Sequence, residues 1–101
     1  MSDRVSVLLV EMEFDYGSRA MGHSYGYYNM LLPLREIYPD ALHFDYLERI
    51  EAVGQERMNA ELIELVESAR PRVTIVPLFL NQFLPETIRS LSRWTTTVAY
   101  M

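Results

Sequence analysis

Three carboxylates at alternate positions, Glu11, Glu13 and Asp15, open the stretch of this chain that is richest in chemically active side chains. If that stretch is extended, the three side chains point to one side, while Met12 and Phe14 point to the other. Carboxylates gathered in this way can supply a general base or bind a cation. They can equally form a solvated acidic loop whose apolar neighbours cover the core, so both interpretations stay open.

The next segment, residues 17–24, comes close to a phosphate-binding loop, with Gly17 and Gly22 at the spacing of that motif. His23 stands where the motif requires the lysine that reaches the β- and γ-phosphates, which argues against nucleotide hydrolysis. Gly22 still allows a ligand to approach the backbone closely, and a helix beginning near Ser24 offers free N–H groups to an anion or a sugar hydroxyl. Turn formation explains both glycines equally well. His23, beside that helix terminus, is a candidate base or hydroxyl ligand.

Further polar and aromatic side chains extend this candidate site. Tyr25 directly follows the loop and can stack on a sugar or a base. Asn81 and Gln82 follow the third predicted strand, so we expect them at the same edge of the sheet, where they can hydrogen-bond a polar ligand. Capping of the next helix is an equally good role for them. Two histidines far apart in sequence, His23 and His43, do not predict a metal site.

Composition excludes several classes of function. The chain has 101 residues and a net charge of −5, with no lysine and no basic cluster, so we expect a single domain that does not bind nucleic acid. The absence of lysine and cysteine excludes Schiff-base, thiol and thiolate–metal chemistry. The first residues lack a signal-peptide layout and no apolar run is long enough to span a bilayer, which predicts a cytoplasmic protein.

Apolar periodicity predicts the elements that position these residues. The predicted strands are residues 4–12, 41–46, 72–80 and 95–101, and the predicted helices are residues 24–38, 47–53, 55–69 and 85–94. Ser24 is the predicted N-cap of the first helix. Pro33 lies inside that helix and predicts a kink or a late start, because proline has no N–H to donate. Pro77 predicts incomplete pairing near the end of the third strand.

The alternation βαβαβαβ predicts an α/β fold with a parallel sheet between two helical layers. We expect a Rossmann-like or flavodoxin-like sheet in the order 2-1-3-4. In such sheets ligands bind beyond the carboxyl ends of the strands, which places the loop after the first strand at the site. The last strand, ending at Met101, would leave an open edge, so the domain looks incomplete or partnered there.

Motifs along nearly the whole chain resemble one enzyme family. Residues 13–17 (EFDYG), 22–25 (GHSY), 28–29 (YN), 32–34 (LPL) and 44–46 (FDY) resemble the N-terminal region of the CgeB-like, spore-maturation type glycosyltransferases. Gly54 with Met58 and Asn59 agrees, as do Arg70-Pro71, Gln82-Phe83 with residues 85–87, and the threonines at 95–97. The order and spacing of these motifs are more specific than any one of them.

The resemblance implies a GT-B type enzyme, in which two Rossmann-like domains flank a cleft and a sugar passes from a nucleotide donor to an acceptor hydroxyl. The N-terminal domain of such enzymes mainly shapes the acceptor side, and the C-terminal domain holds the nucleotide sugar. Glu13, Asp15 and His23 match positions in the loop that faces the cleft, which makes them base candidates. The chain resembles the beginning of the first domain, so we expect it to be inactive alone, without a cofactor or a metal.

Two other functions stay open. The first is a small non-catalytic α/β interaction domain that forms a homo-oligomer, or contacts a C-terminal domain, through the edge of the fourth strand. The second is a flavodoxin-like module that binds phosphate through residues 17–24. A flavin spectrum would distinguish the second from the others.

Overall fold

A computed structural model describes residues 5–78 and 82–100, and it confirms the predicted α/β architecture. The strands are β1 (Val7–Val10), β2 (Leu42–Phe44), β3 (Val73–Pro77) and β4 (Thr96–Tyr100). They form one sheet in the order β2-β1-β3-β4, and the three pairings are parallel. The predicted Rossmann/flavodoxin-like order 2-1-3-4 is therefore confirmed, although each strand is shorter than predicted.

The helices are α1 (Leu32–Ile37), α2 (Tyr46–Val53), α3 (Gln55–Ala69) and α4 (Pro85–Leu91). The bounds of α3 are as predicted, because Gly54, with a φ of +90°, precedes it and Pro71 follows it. The second strand ends two residues earlier than predicted, at Phe44, and the helix after it begins one residue earlier, at Tyr46. The Asp45 side chain accepts a hydrogen bond from Glu48 N (3.1 Å), and this cap starts α2 at Tyr46.

One face of the sheet packs against α2, α3 and α4 and forms the main core. In α3 the buried residues Met58, Leu62 and Val66 lie four apart, on one side of the helix. Burying each Leu or Val side chain stabilises the fold by roughly 1.5–3 kcal/mol. The rest of this core comprises Leu8, Val10, Tyr46, Val76, Phe83 and Leu91. This side of the sheet provides the rigid support for the loops at the carboxyl edge.

Helix α1 covers only part of the opposite face. Leu34 in α1 and the nearby Tyr38 line a groove beside Val7, Val73 and Ile75. Val98 of β4 is in register with Ile75 but keeps 47% of its surface exposed. The β3–β4 half of this face is therefore left open by the described part of the chain.

A π turn resolves the conflict between Pro33 and the first predicted helix. Residues 25–37 are helical throughout: Tyr28 N donates to Ser24 O (3.3 Å), Tyr27–Leu31 then form a π-helix in which Leu32 N donates to Tyr27 O, and α1 follows from Leu32. Of the two expectations for Pro33, the late start is wrong, because the helix already begins at Tyr25; after the π turn, Pro33 falls in the first turn of α1, where it needs no partner for a missing N–H. Ser24 Oγ accepts from Tyr27 N (3.1 Å), so the predicted N-cap is confirmed.

Pairing along β3 changes near Pro77 as predicted. The register between β1 and β3 ends at Ile75, whereas β3 and β4 stay paired to Pro77 and Tyr100. The missing N–H of Pro77 therefore costs no hydrogen bond to β1. Across residues 5–78 and 82–100, no helix is both long and apolar enough to cross a membrane.

Candidate functional site

A cavity of about 450 Å³ opens at the carboxyl edge of the sheet, between the ends of β1 and β4 and the first turn of the helical segment 25–37. This is the edge at which the sequence placed the site, and the volume lies within the range of small-molecule pockets. The described residues that line it are Glu11, Met12, Asp15, Ser24, Tyr25, Gly26, Asn29, Met30 and Tyr100.

Glu11 is the buried acid of this cavity, with only 6% of its surface exposed. Met12 N donates to its Oε1 (2.9 Å), and the hydroxyl of Tyr100 donates to its Oε2. The carboxylate crosses directly over Gly26, where a β-carbon would lie 2.5 Å from Oε2 and closer still to Cγ and Cδ. Glycine at position 26 is therefore what allows the helix to approach this carboxylate.

Tyr100 serves as a hydrogen-bond donor in this arrangement. Burial raises the pKa of its hydroxyl well above the usual range, and the hydrogen bond to Glu11 and the charge of that carboxylate raise the pKa further. Burial likewise raises the pKa of Tyr46 to about 12, with contributions from the charges of Glu11 and Asp45. Both hydroxyls thus remain protonated at neutral pH, and Tyr100 holds the Glu11 side chain in place.

The first helical turns supply the part of the lining that packs beside Glu11. Ser24 Oγ donates to Met12 O (2.5 Å), which ties the start of the helix to the end of β1. Asn29 Nδ2 donates to Tyr25 O (3.0 Å), so its amide oxygen is left to accept from a ligand. Tyr25 is 77% exposed and stands at the mouth of the cavity. The π turn, a feature often found at functional sites, carries Asn29 and Met30 to the lining.

The three alternating carboxylates do not share one side, so that prediction is wrong. Glu11 and Asp15 line the main cavity, whereas Glu13 lies in a separate hollow of about 310 Å³ with Asp45. The chain already bends at Glu13, before the 3₁₀ turn Asp15–Gly17 begins, so the strict alternation of an extended strand does not hold across the three carboxylates. Glu13 N donates to Asp45 Oδ2 (3.1 Å), which fixes this part of the loop beside α2.

His23 lies in an aromatic stack. Its ring is 3.9 Å from the Tyr27 ring and 4.8 Å from the Phe14 ring between centroids, and its backbone forms an antiparallel bridge with Phe14. These contacts close the loop on itself, together with the bonds Asp15 N to Gly22 O (3.0 Å) and Ser24 N to Glu13 O (2.8 Å). His23 is not among the described lining residues, so its role as a base stays a prediction without a geometry that brings it to the cavity.

The loop glycines Gly17 and Gly22 serve its turns. Their φ angles are +71° and +81°, a region that disfavours other residues, and neither lines the cavity. A β-carbon on Gly17 would lie 3.1 Å from the Leu47 side chain, whereas one on Gly22 would meet open space. The glycine at the site is Gly26, which sequence reasoning missed.

The loop after β3 is anchored by α3. Asn81 lies outside the described residues. Asn59 is buried, and its Nδ2 donates to Gln82 O (2.9 Å) while its Oδ1 accepts from Leu84 N (3.0 Å). The side chain of Gln82 does not cap α4, because Leu84 occupies the N-cap position and no side-chain hydrogen bond caps this helix. Gln82 Oε1 is buried and meets no hydrogen-bond partner among the described residues.

The other histidine has a structural role. His43 Nε2 lies 2.8 Å from Glu11 O, which links β2 to the carboxyl end of β1. No three histidine, aspartate or glutamate side chains converge as a metal site within the described ranges. The chemistry of the cavity therefore comes from carboxylates, an amide and aromatic rings.

Comparison with known proteins adds no relative. No family model, no curated protein and no solved structure matches this chain. The geometry of the site is thus the guide to function. The lining has two carboxylates, which can accept hydrogen bonds, and no basic side chain among its described residues, so the cavity suits hydroxyl or ammonium groups rather than phosphates.

Proposed function

We propose that this chain binds the acceptor in a glycosyl transfer of the GT-B kind, as an N-terminal, acceptor-side domain. The observation that carries the proposal is the cavity at the carboxyl edge, whose lining combines Glu11 and Asp15 with Asn29 and Tyr25. Sugars offer many hydroxyls to carboxylates and amides, and their apolar faces pack on aromatic rings. The motif resemblance to CgeB-like glycosyltransferases supports the same domain.

The charge of the cavity favours the acceptor over the nucleotide donor. A nucleotide sugar carries two phosphates, which proteins bind with arginine, lysine, metal ions or helix N-termini. Glu11 and Asp15 would instead repel it. A nucleotide sugar is then expected to come from another domain, and this cavity holds the hydroxyl that attacks it.

The proposed reaction joins the acceptor oxygen to the anomeric carbon and breaks the bond from that carbon to the nucleoside diphosphate. The hydroxyl proton passes to a carboxylate, and the nucleoside diphosphate leaves with the bonding electron pair. Asp15 is the best-placed of the three predicted bases, because it lines the cavity while Glu13 and His23 do not. Glu11 is held by two hydrogen bonds, which suits it to orienting the acceptor.

The test is titration of the isotope-labelled chain, followed by amide chemical shifts, with glucose and with uridine diphosphate as separate probes. We expect glucose to shift the amides of Ser24, Gly26 and Asn29, and uridine diphosphate to leave them unchanged. Asp15→Asn should weaken glucose binding, whereas the matched control Glu13→Gln should not, because Glu13 lies in the other hollow. Binding of uridine diphosphate in this cavity would move the site to the donor side and contradict the proposal.

One observation favours a second candidate, the non-catalytic interaction domain. Within the described residues β4 pairs with β3 alone, and Val98 on this edge strand is about half exposed. Light scattering after size exclusion tests it: a dimer that Val98→Glu converts to a monomer would support association through this strand. The control Val53→Glu adds the same charge to an exposed position in α2 and should leave the mass unchanged.

A further inference from the structure

We propose that the cavity selects a ligand that carries an ammonium group, which pairs with Glu11. The acceptor would then be an amino sugar or a similar amino-bearing polyol. This identity of the acceptor rests on the proposed function, whereas the preference for a cation rests on the cavity alone.

The first step is the unused capacity of the Glu11 carboxylate. A carboxylate has about four lone-pair positions. Among the described residues, Met12 N takes one on Oε1 and the Tyr100 hydroxyl takes one on Oε2. Each oxygen can therefore accept a further hydrogen bond, and an ammonium group supplies three donors.

The second step is the sign of the charge that faces the ligand. Asp15 from the loop and Glu11 from the end of β1 are the ionisable acids of the lining. The helical turn contributes Ser24, Asn29 and Met30, and β4 contributes the neutral Tyr100. No arginine or histidine lies among these described lining residues, so the charged side chains that an incoming cation meets there are both attractive. The face of Tyr25 adds a weaker attraction for a cation.

The third step is the burial of Glu11. An ion pair in bulk solvent is screened and contributes little. Glu11 is 6% exposed and is packed over Gly26, so a ligand that reaches it is shielded from water on the protein side. Charge discrimination is strengthened by such a setting, and the Tyr100 hydroxyl keeps the carboxylate oriented for it.

The experiment compares three sugars of one size that differ in charge: glucosamine, glucose and glucuronate. Calorimetric titrations of the intact chain are run at a pH where glucosamine is protonated. We expect glucosamine to bind about tenfold more tightly than glucose, which corresponds to about 1.4 kcal/mol, and glucuronate to show no binding. Glu11→Gln should abolish the tenfold preference, and Glu13→Gln, an identical change outside this cavity, should retain it.

The outcomes separate this inference from the proposed function. Equal affinity for glucosamine and glucose would overturn the ammonium preference and leave the acceptor site standing. Cyclohexylamine bound with no measurable affinity for any sugar would keep the cation site and overturn the sugar acceptor, and no binding of any probe would overturn both. The order of the three sugars needs only the unaltered chain. Asp15→Asn, which should reduce the preference, replaces Glu11→Gln if that variant does not fold.

Discussion

Gly26→Ala is the sharpest test of the described site. In a free helix the change would stabilise by about 1 kcal/mol, because alanine is the better helix former, and Gly26 already has helical angles (φ −63°, ψ −33°). Here the new methyl would lie 2.5 Å from Glu11 Oε2, so the carboxylate must move and leave Tyr100. The lost charged hydrogen bond costs about 1.5–3 kcal/mol and the overpacking about 1–3 kcal/mol. The net expectation is a loss of about 1.5 to 5 kcal/mol of unfolding free energy.

The assay is urea unfolding followed by tryptophan fluorescence and by circular dichroism. A second background isolates the cause. In Glu11→Ala the obstructing side chain is gone, so the same Gly26→Ala change should stabilise by up to about 1 kcal/mol. The reversal of sign is the signature of a direct contact. Stabilisation by Gly26→Ala in the unaltered chain, or equal destabilisation in both backgrounds, would refute the packing of Glu11 over Gly26.

Three further predictions concern the elements that support the site. Asn59→Ala leaves Leu84 N without its hydrogen-bond partner and should lower the unfolding free energy, measured by urea unfolding, by about 1–3 kcal/mol. A change within experimental error would show that this hydrogen bond does not stabilise the fold. The hydrogen bond and charge of Arg49 lower the pKa of Glu61, so this stabilisation is present above about pH 4.5 and is lost as the pH falls further. Arg49→Gln should therefore make unfolding free energy less dependent on pH in acid, and an unchanged acid profile would contradict it. Burial raises the pKa of Tyr46 to about 12, so its protonated hydroxyl contributes fully to the stability of the fold below about pH 10, and this contribution is lost as the pH rises towards about 12. Tyr46→Phe should therefore make the unfolding free energy fall less steeply with pH in alkali. An equally steep fall in the variant would count against burial of a protonated hydroxyl.

The topology was predictable because short-range signals along the chain agreed with one another. Gly54 and Pro71 mark the two ends of α3, and the apolar residues between them recur at helical spacing. The parallel sheet followed from the alternation of strands and helices. The bounds of β2 and α2 were harder to predict, because they depend on one side-chain bond, from Glu48 N to Asp45. A contact of that kind is decided by the position of the backbone, which periodicity does not specify.

The site was predictable as a place but not as a set of residues. A parallel sheet predicts a site beyond the carboxyl end of β1, and the cavity lies there. The partnership of Glu11 with Tyr100 spans 89 positions and exists only because β1 and β4 flank β3. Gly26 did leave a signal. A glycine inside a predicted helix costs stability, and such a residue often marks a close approach of another group.

Two different means position the carboxylates that define the cavity. The Glu11 side chain is held by close packing over Gly26 and by the hydrogen bond from the Tyr100 hydroxyl. Asp15 belongs to a polar loop that has few apolar side chains to bury, so its position depends on closure of the loop by the Phe14–His23 stack and its backbone bonds. Ordering such a loop before a ligand arrives reduces the entropy that binding must offset. We therefore expect the stack at His23 to influence ligand binding through the position of Asp15, although His23 itself lies outside the described lining of the cavity.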